Sequence, residues 1–140
     1  MKQKFDVILL ADVVEHIFNP GLVLQEAKKL LNPEGEIIIS VPNSFGIVRF
    51  IKSFFRYEQV HPDHLAYYSS GTIETLARKL DFRVSEIAWY AFEIRDRQLS
   101  VFMGACIERL VTSFFPWQAE GCLAVLIKDE NYSCGESVSL

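Results

Sequence analysis

The sequence predicts an α/β fold in which parallel strands are joined by a crossover helix. Residues 7–11 (VILLA) are apolar at every position, which is typical of a strand buried on both faces of a parallel sheet. Residues 36–41 (EIIISV) form a second, β-branched strand after an intervening helical pattern,. A strand, helix, strand order places the two strands parallel, with the helix on one face of the sheet.

The first helix is predicted from Asn19 and Pro20 to about residue 31. An Asn side chain can cap a helix start, and proline is favoured at the first helical position. Apolar residues recur at helical spacing, so one side of this helix is expected to cover the sheet; they are Leu24, Ala27, Leu30 and Leu31,. Residues 32–35 (NPEG) form a predicted turn that ends the helix before the second strand begins,.

Residues 46–57 (GIVRFIKSFFRY) predict an amphipathic helix for which three roles stay open. It can pack on the domain, act as a mobile lid or lie on a membrane surface, and packing is the leading interpretation. The remaining elements are predicted to be a helix at 72–80, an outer strand at 82–92, an apolar helix at 99–115 and a last strand at 121–128,. Residues 1–129 are expected to form one domain, followed by a flexible tail at 130–140.

Composition excludes several classes of protein. The 140 residues are 50% apolar and 23% charged, which is enough apolar surface for a packed core,. A formal net charge of -4 argues against binding to nucleic acid,. No signal peptide and no membrane-spanning run is found, so stable membrane insertion is not expected. Three cysteines in no disulfide or metal-binding pattern indicate free thiols in a reducing cytoplasm,.

Several short motifs, taken in order, resemble the class I S-adenosylmethionine-dependent methyltransferases. They are FDV at 5–7, EH at 15–16, LLNPEG at 30–35 and PN at 42–43, then HPDH at 61–64, YYS at 67–69 and DF at 81–82. In this family a glycine usually precedes that phenylalanine, so Asp81 suggests a differently built helix end. The resemblance covers about residues 5–92, and the last strand is similar to the family's terminal hairpin.

The resemblance implies a partial Rossmann-like methyltransferase sheet that is truncated at its N-terminal side. It implies parallel strands with crossover helices and a C-terminal antiparallel strand. The family's glycine-rich cofactor loop is missing, because none of the seven glycines falls in a G-x-G cluster after a strand,. S-adenosylmethionine is therefore the cofactor of the complete fold, and this chain alone is expected to be inactive. A strand at 5–11 with no neighbour on one side is expected to pair with a missing N-terminal half, with a second copy of the chain in a homo-oligomer, or with another protein.

The resemblance also implies the site residues, which would lie on the rim formed by the carboxyl ends of the two strands. Ala11, Asp12 and His16 would contact the cofactor. His64 is the candidate general base for a separate reason, because an unperturbed imidazole titrates near neutrality and could take the proton of an oxygen or nitrogen acceptor. The acceptor-side residues would be Asn43, Tyr67 and Tyr68. Simpler roles are open for three of these: a solvated carboxylate for Asp12, an orienting or capping residue for His16 and a loop anchor for His64. No protein nucleophile is required, since catalysis comes mostly from alignment of the two reactants.

A metal site is not expected from the sequence. His61 and His64 are three residues apart, but no cysteine or histidine nearby completes a zinc ligand set,. The leading hypothesis is therefore methyl transfer to an unidentified small-molecule or saccharide-type acceptor, in a fold completed by an N-terminal half. The alternative is a non-catalytic oligomerisation or partner-binding module that uses strand 5–11 and the apolar segment 99–115.

Overall fold

The computed structural model describes residues 3–57, 60–91 and 99–129, in which four strands form one mixed sheet. The strands are β1 (Phe5–Ala11), β2 (Leu31–Pro42), β3 (Phe82–Tyr90) and β4 (Gly121–Lys128). Their order across the sheet is β1-β2-β4-β3. β1 and β2 are parallel, and β4 is antiparallel to both of its neighbours. The α/β fold with a C-terminal antiparallel strand is confirmed.

The crossover helix α1 (Pro20–Leu30) joins β1 to β2, as the sequence predicts. The Asn19 side chain caps it by accepting a hydrogen bond from the backbone N–H of Leu22 at 3.0 Å,. Leu24 and Ala27 are buried on the side of the helix that faces the sheet. The capping is therefore confirmed, and so is the apolar face at Leu24 and Ala27. The prediction was wrong for the end of the helix, because Leu30 is 37% exposed and Leu31 begins β2.

The start of β2 differs from the prediction. Phe5 pairs with Leu31 and Val7 pairs with Glu36, so the predicted turn at 32–35 is a bulged part of the strand itself,. Gly35 permits this bulge, because a Cβ there would lie 2.9 Å from the backbone oxygen of Phe5,. The strand thus begins where the helix ends, and the apolar pattern resumes at Ile37.

Three more helices complete the described structure: α2 (Ile47–Phe54), α3 (Ser70–Lys79) and α4 (Leu99–Phe114). α3 begins with a capping box between Ser69 and Thr72,. Its last residue is Lys79, and Asp81, two residues later, has a φ of 54°, in the left-handed region that favours glycine,. The helix end therefore keeps a left-handed geometry without a glycine. The expectation of a differently built helix end was wrong on this point.

α1 and α3 cover one face of the sheet and form the core there. Buried members of this core are Val14, Leu24, Ala27, Leu31, Ile37, Ile39, Val41, Ile73, Ala77, Phe82, Cys122, Ala124 and Leu126. β3 lies at the far edge of the sheet, as predicted for an outer strand, and ends at Tyr90. The last residue predicted for this strand, Phe92, and the predicted tail at 130–140 lie outside the described residues.

β1 is the second edge strand, and its burial on both faces is not observed. None of its seven residues is buried: Val7 is 50% and Leu9 62% exposed, whereas Ile8 and Leu10 pack partly against the core. The prediction was wrong because, among the described residues, helices cover only one face of β1 and only β2 pairs with it. Its other face and its outer edge are open.

α2 lies against α4, but its aromatic side chains point outward. Phe50 and Phe54 pack edge to face with ring centroids 5.1 Å apart, and both are exposed. The helix is attached at its first turn, where the backbone N–H of Arg49 donates to Glu120 Oε1 at 3.3 Å. Among the described residues, none of the helices has the length and apolarity needed to cross a membrane.

Candidate functional site

The candidate site lies on the rim where the carboxyl ends of β1 and β2 meet. Because these strands are parallel, Ala11 and Ser40 are neighbours at this edge. Asp12 follows Ala11 with a φ of 49°, and its backbone N–H donates to the carbonyl oxygen of Ser40 at 3.0 Å. The Ser40 hydroxyl donates to Asp12 Oδ1 at 3.1 Å. These contacts fix an exposed carboxylate directly after β1.

Tyr90, from the end of β3, also reaches this rim. Its ring crosses over Gly121, and its hydroxyl donates to Asp12 Oδ1 at 3.4 Å. Burial, with the nearby Asp12 charge, raises the pKa of Tyr90 to about 12, so the hydroxyl stays protonated and can act as a donor,. Sequence reasoning missed Tyr90 because it lies 78 residues from Asp12 along the chain.

A short 3-10 turn, Val14–His16, continues the rim and is held by the segment at 61–68. The carbonyl oxygen of Glu15 accepts backbone hydrogen bonds from Leu65 at 2.8 Å and Ala66 at 3.2 Å. His16 Nδ1 lies 2.8 Å from the carbonyl oxygen of Asp63. These three bonds attach the turn after β1 to a segment about 50 residues later in the sequence.

All three histidines of the chain converge at this junction. The ring centroids of His16 and His64 are 4.6 Å apart, as are those of His61 and His64. Desolvation lowers the pKa of His64, and the neighbouring His16, His61 and Arg49 lower it further, so its imidazole is neutral at neutral pH,. His64 therefore carries a lone pair at the rim.

Glu15 is almost completely buried, with 1% of its surface exposed. Burial raises the pKa of its carboxyl, and the negative charge of Asp12 raises it further. Among the described residues, neither oxygen of this carboxyl has a hydrogen-bond partner. Nδ1 of His64 has no partner among them either. An unpartnered buried carboxyl is costly, so this part of the site is incomplete by itself.

Glu15, His16 and His64 each offer one ligand atom, and the three atoms lie within 4.8 Å of one another. From the sequence, only His61 and His64 were candidate metal ligands, whereas the structure brings Glu15 and His16 beside His64. The available signal was positional, because the EH pair directly follows a strand whose carboxyl end lies on the ligand-binding rim. What the sequence did not reveal is the return of residues 61–68 to that rim.

The structure places the three predicted acceptor residues differently from one another. The Asn43 side chain is buried, and its amide donates to the carbonyl oxygens of Trp117 at 2.9 Å and Ala119 at 2.7 Å. Asn43 thus has a structural role here, and its contact with an acceptor stays a prediction. Tyr68 bridges to Asn43 through the backbone, and burial followed by the Glu15 charge raises the pKa of its hydroxyl.

Tyr67 lines an open cleft of about 470 Å³ beside the histidines. Its hydroxyl accepts a hydrogen bond from the backbone N–H of His61 at 2.8 Å, and the Arg49 guanidinium lies 4.8 Å from its ring centroid,. The other lining residues are Ser44, Ser53, Arg56, Tyr57 and Val60. The cleft thus combines aromatic faces, hydroxyls and two guanidinium groups next to the rim.

Comparison with solved structures identifies the fold. A SAM-dependent methyltransferase from Archaeoglobus fulgidus superposes with a TM-score of 0.59 at 16% identity, over 90% of this chain and 60% of that one. Magnesium protoporphyrin IX methyltransferase from Synechocystis PCC 6803, solved with bound SAH, superposes with a TM-score of 0.54 at 10% identity, over 92% of this chain and 47% of that one. The chain therefore has the fold of part of each of these enzymes.

The sequence comparisons agree with the fold. Over 52 residues, this chain is 42% identical to the ubiquinone biosynthesis O-methyltransferase of Azorhizobium caulinodans. The match covers 37% of this chain and 19% of the relative, so only a short part of that enzyme is compared. The sequence profile of a family described as "Methyltransferase domain" matches residues 1–87, more than half of the chain. The chain belongs to this methyltransferase-domain family.

Proposed function

We propose that this chain carries the acceptor side of an S-adenosylmethionine-dependent methyltransferase. It would transfer a methyl group to a hydroxyl of a small-molecule or saccharide-type acceptor in the cytoplasm, once further strands and helices complete its sheet at β1. The family match supports methyl transfer. The name of the Azorhizobium caulinodans relative supports an oxygen acceptor. The open edge and face of β1 support completion by another segment,.

The described rim suits one end of the cofactor. Asp12 presents an exposed carboxylate after β1, which fits the ammonium group at the amino-acid end of S-adenosylmethionine,. Ala11 and His16 lie on either side of it along the chain. Among the described residues there is no glycine-rich turn after a strand to hold the rest of the cofactor,. The cofactor supplies the methyl group on a positively charged sulfur.

The cleft beside Tyr67 is the proposed acceptor site. Tyr57 and Tyr67 offer flat faces for a sugar or another ring, and Ser44 offers a hydroxyl for hydrogen bonds,. Arg49 and Arg56 would favour an acceptor that also bears an anionic group,. No contact to nucleic acid is proposed, since the chain as a whole has a net charge of -4,.

His64 is the proposed general base. Its lowered pKa keeps the imidazole neutral, so it can take the proton of an acceptor hydroxyl,. The deprotonated oxygen would then be able to attack the methyl group that the bound cofactor supplies, with the sulfur of S-adenosylhomocysteine as the leaving group. Most of the rate enhancement would come from holding the two reactants in line.

Histidine substitutions test this role. They are introduced into the protein in which the sheet is completed at β1, and methyl transfer is measured with methyl-labelled cofactor and a panel of hydroxylated acceptors. His64→Asn should lower kcat by about 10²- to 10⁴-fold, the usual contribution of a general base. His61→Asn is the matched control, since its ring is a neighbour in the same segment, and it should keep most of the activity. Equal activity of wild type and His64→Asn would refute the role of His64.

The alternative is a non-catalytic module that binds a partner or a second copy through β1. It is favoured by one observation, the exposed apolar residues Phe5, Val7 and Leu9 on an edge strand,. Sedimentation of the purified chain separates the proposals. A homo-oligomer that dissociates on Leu9→Lys substitution supports the alternative, whereas a stable monomer at high protein concentration contradicts it.

A further inference from the structure

The cluster of Glu15, His16 and His64 has the composition of a metal site. One carboxylate oxygen and two imidazole nitrogens lie within 4.8 Å of one another, although the residues come from two separate segments of the chain. Two histidines and one glutamate are a ligand set that zinc enzymes use while keeping a coordination position open. Imidazole ligands favour transition ions, whereas Mg²⁺ and Ca²⁺ prefer sites made of oxygen atoms.

The unpartnered atoms of the cluster point to a missing ligand. Glu15 is 1% exposed, and within the described part of the chain both of its carboxyl oxygens lack a hydrogen-bond partner. Nδ1 of His64 is buried and lacks a partner in the same way. Buried polar atoms are normally paired, so each such group calls for an explanation. One cation between these side chains would satisfy both groups at once.

His16 has the contact that usually orients a ligating histidine. Its Nδ1 lies 2.8 Å from the carbonyl oxygen of Asp63, so the ring donates from Nδ1 and keeps its lone pair on Nε2,. Histidine ligands commonly donate their other N–H to a backbone carbonyl in this way. Asp63 immediately precedes His64, so a single segment orients one ligand and supplies another.

We propose that Glu15, His16 and His64 bind a divalent first-row transition cation such as Zn²⁺. Ligand atoms around tetrahedral zinc are about 3.4 Å apart, so atoms now within 4.8 Å of one another must approach by up to about 1.4 Å,. His16 is exposed and His64 half-buried, so both rings have room to rotate toward the buried Glu15. The expectation of no metal site rested on His61 and His64 alone.

A bound cation would change one detail of the proposed reaction. His64 would then be a ligand, and the ion would lower the pKa of an acceptor hydroxyl at its open position. That detail rests on the proposed function, whereas the site itself does not. Metal binding is therefore measured without any methyl-transfer assay, and failure of either proposal can be recognised separately.

Nitrogen chemical shifts of the histidine rings test the site in the unmodified chain. With only three histidines, the imidazole signals can be assigned and followed while Zn²⁺ is added. The proposal predicts saturation at one equivalent, with large shifts of one nitrogen in each of His16 and His64 and little change at His61. No saturable shift, or an equal shift of His61, would overturn it. This measurement does not depend on any variant folding.

Absorption of bound Co²⁺ provides the second test, on variants whose folding is checked by circular dichroism. Glu15→Gln and His64→Asn should each weaken Co²⁺ binding by at least about tenfold, since each removes a ligand. His61→Asn is the matched control and should bind as tightly as wild type. Equal affinity in all four proteins, or a loss in His61→Asn as large as that in His64→Asn, would contradict the assignment.

Discussion

A methyl group added at Gly121 should destabilise the sheet, because the Tyr90 ring occupies the space that it needs. Gly121 and Tyr90 are cross-strand partners on β4 and β3. A Cβ at Gly121 would overlap Cε2 and Cζ of Tyr90 and lie 2.7 Å from Cε1. Carbon atoms pack best at about 3.5–4.0 Å, so the ring would have to move by about 1 Å. That movement would also disturb the contact between Tyr90 and Asp12.

The size of the effect follows from two opposing contributions. Overpacking of this kind costs about 1–3 kcal/mol. Replacing glycine by alanine restricts the unfolded chain, which returns about 0.4–1 kcal/mol. Gly121→Ala should therefore lower the free energy of unfolding by about 1–2 kcal/mol.

Urea denaturation followed by circular dichroism measures this loss. Gly71→Ala is the matched control, because a Cβ there would lie 4.0 Å from its nearest neighbour, Ser69 Oγ, inside a helix. It should leave stability unchanged or raise it by up to about 1 kcal/mol. In a Tyr90→Ala background, Gly121→Ala should cost little more, since the obstructing ring is gone. Wild-type stability of Gly121→Ala, or an undiminished loss in the Tyr90→Ala background, would refute the reasoning.

Two further predictions concern buried titratable groups. Burial raises the pKa of Glu108 above 4.5, so folding favours the protonated form of this carboxyl. The protonated carboxyl therefore contributes its full share of the stability below pH 4.5. That contribution is lost as the pH rises through the pKa of Glu108 in the folded state. Urea denaturation should therefore show the wild type losing stability relative to Glu108→Gln from pH 4.5 to neutrality, and parallel pH profiles would contradict this. Burial also raises the pKa of Cys122 to about 11, whereas Cys106 is exposed. Iodoacetamide should therefore label Cys106 in the folded protein and Cys122 only after unfolding, as measured by peptide mass spectrometry. Rapid labelling of Cys122 in the native state would contradict its burial in the core.

The order of the elements was predictable because it depends on local patterns. Asn19 caps α1 as expected, and the strands on either side of that helix are parallel. The start of β2 was not predictable, because NPEG is also a good turn sequence. What decides it is Phe5 pairing with Leu31, a contact between residues far apart along the chain. Local turn propensity gave way to pairing with a neighbouring strand.

The candidate site was predictable only in part. The EH pair was singled out, but the burial of Glu15 depends on backbone bonds from Leu65 and Ala66 that no local pattern indicates. For Asn43, the sequence predicted contact with a ligand, because a polar residue at the end of a strand lies on the ligand-binding rim. In the structure, its side-chain amide donates hydrogen bonds to the carbonyl oxygens of Trp117 and Ala119, far along the chain. The types and positions of the residues were thus enough to predict the rim at the carboxyl ends of β1 and β2. The roles of Glu15 and Asn43 on that rim depend on contacts with residues far along the chain.

Calorimetric titration of the 140-residue chain with S-adenosylmethionine tests the central claim most directly. The claim is that the described rim supplies only one wall of the cofactor site and that the segment pairing with β1 supplies the other. The account predicts no binding in the micromolar range by this chain alone. Micromolar binding at one equivalent would contradict it, because the chain would then hold the whole cofactor site by itself.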